Sequence, residues 1–280
     1  MASARVRVHV LGTAQDGGVP HPGCVCAHCE AARRDPAGRR RVASIAVEGA
    51  SGRTFLVDAT PDLRDQVDAL RAATDPKRKF VDAIAVSHAH IGHYLGLAFL
   101  GKEVMHARAV PVHSTPKMAK FLGANRPWSH LVERGEIELR AMAPGSPLAF
   151  DGAMIHAFLS PHRGEDTDTL GFEIVGPTKR LVYVSDADVL PAAIVDRIRD
   201  ADVSLVDGTF YSRSELPHRD ILEVKHPFVE ESVKKLAGAR GKVFFTHLNH
   251  SNPLLDPDSP TRRALPAGFA VAEEGMVFDL

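Results

Sequence analysis

Several features that would point directly to a function are missing from this chain of 280 residues. Basic and acidic residues nearly balance, with 34 Lys and Arg against 35 Asp and Glu, so no charge excess indicates a nucleic-acid partner. No apolar run approaches the ~18 residues that a transmembrane helix needs. Internal repeats and low-complexity linkers are also absent. We therefore expect neither nucleic-acid binding nor a membrane role.

A signal peptide is not expected either. Residues 2–10 alternate like a strand and contain no continuous apolar region of the kind that a signal peptide has, so we expect a cytoplasmic protein. A hydrophobic share of 44% suffices for a sizeable core, and residues 1–280 are interpreted as one domain. A small-molecule substrate is the expected partner. A homodimer is compatible with the sequence, which does not determine the oligomeric state.

Cysteine is scarce, and all three cysteines lie between Cys24 and Cys29. A disulfide framework would instead spread an even number along the chain. The spacing Cys-x-Cys-x-x-Cys lets three thiolates converge on one zinc ion, with a fourth ligand from elsewhere. Buried apolar thiols are the alternative interpretation. The sequence therefore predicts a zinc-binding loop within residues 12–41.

Histidine is more frequent, and three of the 15 histidines lie within six residues of one another. His88, His90 and His93 follow directly after the apolar run 81–86, which predicts a short buried strand. A neutral imidazole is the commonest protein ligand for a transition metal. Three imidazoles at one junction between strand and loop predict a metal site, the alternative being a polar loop with incidental histidines.

Three further residues of ligand type stand at the ends of predicted strands, namely His162, Asp186 and His247. Strand ends at one edge of a sheet converge, and a scaffold holds functional side chains rigidly there. Asp188 competes with Asp186 for the carboxylate position, which we assign to Asp186 because it lies nearer the strand end. Five imidazoles and one carboxylate suit zinc, manganese, iron or nickel and do not suit calcium. A carboxylate that bridges two ions would explain Asp186, so we expect one or two catalytic ions.

Strand-like and helix-like segments alternate along the chain, and several strands follow one another without a helix, which predicts a layered α/β fold with two sheets. Helices are predicted over 61–72 and 95–105. The tail, with strand-like segments at 269–271 and 276–278, is predicted to form a closing hairpin. The loops 12–41 and 207–226 are candidates for function because they are longer than segments that only connect two secondary-structure elements.

The order of these residues resembles that of the metallo-β-lactamase family, whose hallmark is a strand followed by His-x-His-x-Asp-His and then a later His, Asp and His. The resemblance implies a four-layer αββα sandwich. Within the family the chain is similar to the pyrroloquinoline-quinone biosynthesis B proteins over segments 11–18, 44–47, 58–62, 207–210 and 252–256 and the cysteine cluster. It is also similar to the cyclic-phosphate phosphodiesterase of phosphonate breakdown, which shares the cysteine cluster and a C-terminal His-x-x-His.

The resemblance implies a role for each candidate residue. The implied ligands are His88, His90 and His162 for a first metal, His93 and His247 for a second, Asp186 as the bridge, and Cys24, Cys26, Cys29 and His250 for a structural zinc. Asp58 resembles the buried carboxylate that orients a ligand histidine. Asp207 is expected in a similar supporting role, or only as the start of a turn. His250 has a second interpretation, as a helper in the catalytic pocket. Asp186 and His247 are the expected catalytic residues.

Two departures from the family pattern affect the expected chemistry. Gly92 stands where the hallmark has an aspartate that binds the second metal, so the second site is weak, empty or completed by another residue, for which Asp188, Asp207 and His226 are candidates. Many quinone-biosynthesis B proteins have lost much of the His-x-His motif that this chain keeps, which favours a catalytic relative with a different substrate. The remaining histidines, expected to be ordinary, include His21, His28, His113, His130 and His218.

The leading hypothesis is a metal-dependent hydrolase in which a metal-bound hydroxide attacks an ester, in particular a phosphodiester. His247 or a neighbour within 207–226 would assist proton transfer to the leaving group. The second hypothesis is an oxidative, iron-dependent hydroxylase of cofactor biosynthesis. A carrier without catalytic activity is the third.

Overall fold

A computed structural model describes residues 5–215 and 225–280. Within these residues the strands form two mixed sheets of seven strands each. The strands of the first sheet are β1 (Arg7–Gly12), β2 (Ser44–Glu48), β3 (Thr54–Val57), β4 (Ala83–Ala85), β5 (Val110–Ser114), β6 (Ile137–Ala141) and, from the C-terminus, β14 (Val277–Asp279), in the order β14-β1-β2-β3-β4-β5-β6. Those of the second sheet are β7 (Pro147–Phe150), β8 (Ala153–Ser160), β9 (Thr169–Val175), β10 (Arg180–Val184), β11 (Val203–Asp207), β12 (Lys242–Thr246) and β13 (Phe269–Val271), in the order β13-β12-β11-β10-β9-β8-β7.

The helices lie mainly between strands, and none in the described part is long and apolar enough to cross a bilayer. They are α1 (Ala27–Arg34), α2 (Leu63–Ala73), α3 (Ile91–Tyr94), α4 (Pro116–Ala124), α5 (Trp128–Glu133), α6 (Ala192–Asp200), α7 (Val229–Lys235) and α8 (Pro260–Arg263), with 3-10 segments at Pro36–Gly38, Leu95–Leu100, Arg213–Glu215 and Pro253–Leu255. The start of α4 is explained by its local sequence. Thr115 precedes Pro116, and the Thr115 side chain accepts a hydrogen bond from the Met118 backbone N–H.

The two sheets face each other across one apolar core. Alternate side chains of a strand point to opposite faces of its sheet. In β2, Ile45 and Val47 therefore point into the core between the sheets, whereas Ala46 joins the cluster on the outer face. In β10, Tyr183 likewise points inward and Val182 outward. Both faces of these strands are buried, which explains their nearly continuous apolar sequences.

Helices cover the outer face of each sheet. Leu63 and Leu70 of α2, together with Met118 of α4, pack on the outer side of the first sheet. Ile194 and Ile198 of α6 pack on the outer side of the second sheet. The layer order is helix, sheet, sheet, helix, so the predicted four-layer αββα sandwich is confirmed.

The topology brings the functional side chains to one edge of each sheet. Strands β3 and β4 run parallel, and so do β10, β11 and β12. Strand β8 is antiparallel to β9, which is antiparallel to β10, so β8 runs in the same direction as β10. The side chains at the carboxyl ends of these strands are Asp58, His88, His162, Asp186, Asp207 and His247.

Two local predictions were wrong. The tail does not form a hairpin, because β13 pairs with β12 in the second sheet and β14 pairs with β1 in the first. The helix predicted over 95–105 is only the short 3-10 segment Leu95–Leu100. The backbone of this segment passes so close to Thr60 that a Cβ at position 96 would collide with the Thr60 backbone oxygen, so the position requires Gly96.

Candidate metal centre

Five buried side-chain atoms without a hydrogen-bond partner come together between the carboxyl edges of the two sheets. A buried polar atom that lacks a partner is costly, so such a concentration calls for an explanation. The five atoms are His88 Nε2, His93 Nε2, His247 Nε2, Asp186 Oδ2 and Asp16 Oδ1. All are nitrogen or oxygen atoms of the types that bind transition metals.

The first group of ligand-type side chains consists of His88, His90, His162 and Asp186. His162 Nε2 lies 3.2 Å from His90 Nδ1 and 3.6 Å from Asp186 Oδ1. The His88 ring is 4.6 Å from the His90 ring and 5.3 Å from the His162 ring, centroid to centroid. Asp188, the competitor of Asp186, instead bonds the far nitrogen of His162, with 3.0 Å between Oδ1 and Nδ1.

The second group contains Asp16, His93 and His247, and the other carboxylate oxygen of Asp186 faces it. His226 also lies close enough to Asp186 and His247 to form a ligand group with them. His93 Nε2 lies 3.2 Å from Asp186 Oδ2, and His247 Nε2 lies 3.4 Å from the same oxygen. Asp16 Oδ1 is 3.5 Å from His93 Nε2. Asp186 thus presents one oxygen to each group.

These separations fit an ion at the centre of each group. Zinc bonded tetrahedrally at about 2.0–2.1 Å to nitrogen and oxygen requires ligand atoms about 3.3–3.4 Å apart. The separations given above run from 3.2 Å to 3.6 Å, and all ligand atoms of each group lie within 4.8 Å of one another. The side chains present therefore fit one or two transition-metal ions in number, type and spacing.

Asp58 orients two imidazoles of the centre. Its Oδ2 lies 2.8 Å from His93 Nδ1 and accepts a hydrogen bond from the Ser87 hydroxyl at 3.0 Å. The Ser87 oxygen lies in turn 2.9 Å from His88 Nδ1. Because these contacts occupy the Nδ1 atoms, the Nε2 atoms of both histidines are left to face the centre.

Asp207 repeats this arrangement from the second sheet. Its Oδ1 accepts the Thr209 hydroxyl at 2.8 Å, and the Thr209 oxygen lies 2.9 Å from His247 Nδ1. Its Oδ2 lies 2.7 Å from His226 Nδ1 and accepts the Ala187 backbone N–H at 3.0 Å. Asp207 does begin a local turn, through the Thr209 N–H, but it also supports the centre.

Backbone strain marks two of these positions. Asp58 has φ +70° and His247 has φ +59°, both in the left-handed region that few residues other than glycine adopt. Each follows directly after a strand, β3 or β12, and the left-handed residue turns the chain sharply at the sheet edge. Strain of this kind concentrates at functional sites, where the surrounding structure enforces it.

The electrostatics of the centre favour a cation. Burial lowers the pKa of His88 well below its ordinary value, so this imidazole is neutral and keeps a lone pair for a metal, and burial lowers the pKa of His247 as well. Burial opposes ionisation of Asp186, but the imidazoles of His247 and His93 hold its pKa well below the ordinary value. Burial likewise opposes a charge on His93, yet the carboxylates of Asp58 and Asp186 raise its pKa well above the ordinary value.

The cysteine cluster forms a separate group with His250. His250 Nδ1 lies 3.3 Å from Cys24 Sγ and 3.5 Å from Cys26 Sγ, close to the roughly 3.6 Å between nitrogen and sulfur ligands on tetrahedral zinc. Burial, together with the neighbouring thiols, raises the pKa of Cys29 to about 12. Three thiolates so close together therefore need a cation among them.

A cavity of about 770 Å³ opens onto the histidine centre. Most of its lining is polar, and the ligand-type residues His90, His162 and Asp186 form part of its wall. Arg163 and His226 line it as well. Burial lowers the pKa of His226, but the Asp207 carboxylate outweighs this effect and raises it to about 9. The cavity therefore contains cationic side chains next to the centre.

The structure brings all ten residues predicted as metal ligands into these groups. Sequence reasoning missed Asp16, Ser87 and Thr209, for which the sequence offers only weak signals. His21 and His28, expected to be ordinary, both contact His250: the His21 ring lies 4.7 Å from the His250 ring, and His28 Nδ1 lies 3.0 Å from the backbone oxygen of His250. His218 lies outside the described residues.

Known proteins resemble this chain over nearly its whole length. The family model described as the β-lactamase superfamily domain matches residues 53–248. Coenzyme PQQ synthesis protein B of Methylobacterium sp. (strain 4-46) is 30% identical over 302 residues, which cover 97% of this chain and 99% of that protein. The corresponding protein of Cupriavidus necator is 29% identical, with coverage of 96% and 98%.

Two crystal structures extend the comparison. The Zn²⁺-bound PqqB of Methylobacterium extorquens has a TM-score of 0.84 and 25% identity, covering 98% of this chain and 100% of that one. A diphosphatase of the PhnP family has a TM-score of 0.75 and 26% identity, covering 99% of this chain and 97% of that one. The chain therefore belongs to the β-lactamase superfamily, as a protein of the metallo-β-lactamase fold similar to the coenzyme PQQ synthesis B proteins.

Proposed function

We propose that this protein is a metal-dependent hydrolase that cleaves a small phosphoester, in particular a phosphodiester. The observation that carries the proposal is the position of Asp186, which presents Oδ1 to one group of imidazole nitrogens and Oδ2 to the other, beside an open cavity. Two ions joined by a carboxylate suit the displacement of an oxygen leaving group from phosphorus.

The proposed ligands follow the two groups described above. His88, His90 and His162 would hold a first ion, His93 and His247 a second, and Asp186 would bridge them. When bound, such ions lower the pKa of a water molecule and polarise the phosphoryl oxygen of the substrate. Asp58 fixes the tautomer of His93 directly and that of His88 through the Ser87 hydroxyl.

His226 is the proposed proton donor to the leaving oxygen. It lines the cavity, and the Asp207 carboxylate lies 2.7 Å from its Nδ1. That contact holds the ring in place and keeps it protonated near neutral pH, as the raised pKa of His226 indicates. His247, the earlier candidate for this task, is fully buried with its Nε2 in the second group, so proton donation falls to its neighbour.

The cavity supports a small, polar, anionic substrate. Its volume of about 770 Å³ lies within the usual range for small-molecule sites. Arg163 and the imidazolium of His226 supply positive charge to a phosphate group. The similarity to a PhnP-family diphosphatase supports the same substrate class.

The cysteine cluster is proposed to hold one structural zinc. Cys24, Cys26, Cys29 and His250 together form a closed four-ligand set, which is typical of structural zinc sites. Zinc at this position would tie the loop after β1 to the segment that follows β12, because Cys24 and His250 lie on these two parts.

The test is a hydrolysis assay with metal-loaded protein on a panel of phosphodiesters, diphosphates and carboxylic esters. His88→Ala should abolish turnover of the substrate that is found and leave the circular dichroism spectrum unchanged. His130→Ala, on the outer helix α5, is the matched control and should retain full activity. Full turnover by His88→Ala would refute the proposal.

An oxidative reaction is the second candidate, and the similarity to coenzyme PQQ synthesis B proteins favours it. One iron held by His88, His90 and His162 would leave a position open for oxygen. Parallel aerobic and anaerobic assays of iron-loaded protein separate the two candidates. Substrate loss that depends on oxygen supports oxidation, whereas ¹⁸O from labelled water in the product supports hydrolysis.

A further inference from the structure

The space above Gly92 is filled by a side chain from a distant part of the sequence. A Cβ built on Gly92 would overlap Asp16 Oδ1 and would lie 2.9 Å from Asp16 Cα and from Asp16 Cγ. Contacts this short do not occur in folded proteins, so any side chain at position 92 would displace the Asp16 carboxylate. Glycine at 92 and aspartate at 16 therefore depend on each other.

The two oxygens of the Asp16 carboxylate have different surroundings. Oδ2 accepts a hydrogen bond from Gln15 Nε2 at 3.0 Å. Oδ1 is buried without a hydrogen-bond partner and lies 3.5 Å from His93 Nε2, itself also unpartnered. One oxygen is thus held in place while the other is aimed at the second group of imidazoles.

Backbone pairing fixes Asp16 relative to His247. The Leu248 N–H donates to the Thr13 oxygen at 2.8 Å, and the Gln15 N–H donates to the Leu248 oxygen at 3.0 Å. Leu248 directly follows His247, so the two metal-facing residues are carried by one pair of hydrogen-bonded segments. A turn closed by the Gly18 N–H to the Gln15 oxygen at 2.7 Å holds the loop on its other side.

From these contacts we infer that Asp16 is the carboxylate ligand of the second ion, together with His93, His247 and the bridging Asp186. The inference rests on the proposed function, since it names a ligand within that centre. It also replaces the two earlier carboxylate candidates for this position, Asp188 and Asp207, whereas His226, the third candidate, is proposed above as the proton donor. Asp188 contacts the far nitrogen of His162, and Asp207 contacts Thr209 and His226, so neither carboxylate occupies the space above Gly92.

The experiment measures metal stoichiometry and affinity, independently of activity. Protein stripped of metal is titrated with Zn²⁺ in a calorimeter, and bound zinc is counted by elemental analysis. Wild-type protein should bind three ions, one at the cysteines and two at the centre. Asp16→Asn, which has the same shape, should bind one of the three at least ~10-fold more weakly.

Asp35→Asn is the matched control, because Asp35 lies in the same loop and only caps a 3-10 turn at Ala37 N. It should bind three ions as the wild type does. Gly92→Ala should weaken the same ion as Asp16→Asn, although it removes no ligand atom, because its methyl group would take the place of the carboxylate. Thermal melts show that each variant is folded before titration.

The outcomes separate this inference from the proposed function. If the wild type binds three ions and Asp16→Asn and Gly92→Ala bind all three with unchanged affinity, the inference is overturned and the two-ion centre stands. If the wild type binds zinc only at the cysteines, the proposed function fails and the inference falls with it. Selective weakening of one ion in both variants supports the assignment.

Discussion

The candidate metal centre has two halves, one supported by each sheet, and the same hydrogen-bond pattern serves a different purpose in each half. On the first sheet, Asp58 contacts one imidazole directly and a second through the Ser87 hydroxyl. On the second sheet, Asp207 contacts one imidazole directly and a second through the Thr209 hydroxyl. In both halves a buried carboxylate sets the tautomer of two histidines.

The halves differ in where the directly held imidazole points. His93, held by Asp58, is fully buried, and its other nitrogen faces Asp186 and Asp16. His226, held by Asp207, lines the cavity beside the centre. Under the proposed function, the same support therefore prepares a metal ligand in one half and a proton donor in the other. Under this proposal, the position of the imidazole, and not its carboxylate partner, separates the two roles.

Removing the carboxylate that joins the halves should have the largest effect. Asp186→Ala should lose both ions of the centre and lower turnover about a thousandfold or more, since bound metal supplies several kcal/mol of transition-state stabilisation. Elemental analysis and kinetics measure the two effects. Asp196→Ala, an exposed aspartate of α6, is the control and should match the wild type. Retention of both ions by Asp186→Ala would show that the halves are independent.

Replacing His226 tests the difference between the two halves most directly. His226→Gln should lower turnover about a hundredfold, as expected for loss of a general acid, while the protein keeps its full number of ions. Metal content and kcat are measured on the same samples. If one ion is lost together with activity, His226 is a ligand and the halves are alike.

The two supporting carboxylates should differ in which ions they affect. Asp58→Asn should weaken both ions of the centre by about 10- to 100-fold, because Asp58 supports His88 in one group and His93 in the other. Asp207→Asn should weaken only the ion near His247 and should also lower turnover through His226. Zinc titration of the two variants side by side checks this, and equal effects on both ions by both variants would contradict it.

The smallest effects should come from the two hydroxyl groups. Ser87→Ala and Thr209→Val each remove one hydrogen bond to an imidazole, worth about 0.5–1.5 kcal/mol, so one ion should bind up to about tenfold more weakly. The ion affected should be that of His88 in the first variant and that of His247 in the second. Titration resolves the two ions, and an effect on the opposite ion would show that the assignment of ligands to ions is wrong.

The convergence of the strand-end candidate ligands could be predicted because each stands next to its strand in the sequence. His88, His162 and His247 each follow an apolar run, and strands that run in one direction bring such residues to one edge. The layered fold was also predictable, from alternating side chains and consecutive strands. The tail hairpin was not, because two strand-like segments close together in sequence pair with different sheets.

Asp16 and Thr209 illustrate what the sequence does not contain. Nothing near Asp16 in sequence is a metal ligand of the histidine centre, and its contact with position 92 exists only because the loop after β1 pairs with the segment after β12. Thr209 follows an Asp-Gly pair that indicates only a turn, and its contact with His247 depends on the pairing of β11 with β12.

The sequence by itself determined which kinds of candidate ligand this protein has and that they stand at strand ends, since residue type and alternation are local properties. Tertiary structure alone decided which residue lies beside His93 and His247 in the second group, which carboxylate supports which imidazole, and which of the supported histidines lines the cavity. The physical reason is that donor atoms a few ångströms apart must be brought together by long-range strand pairing. No spacing along the chain encodes that pairing.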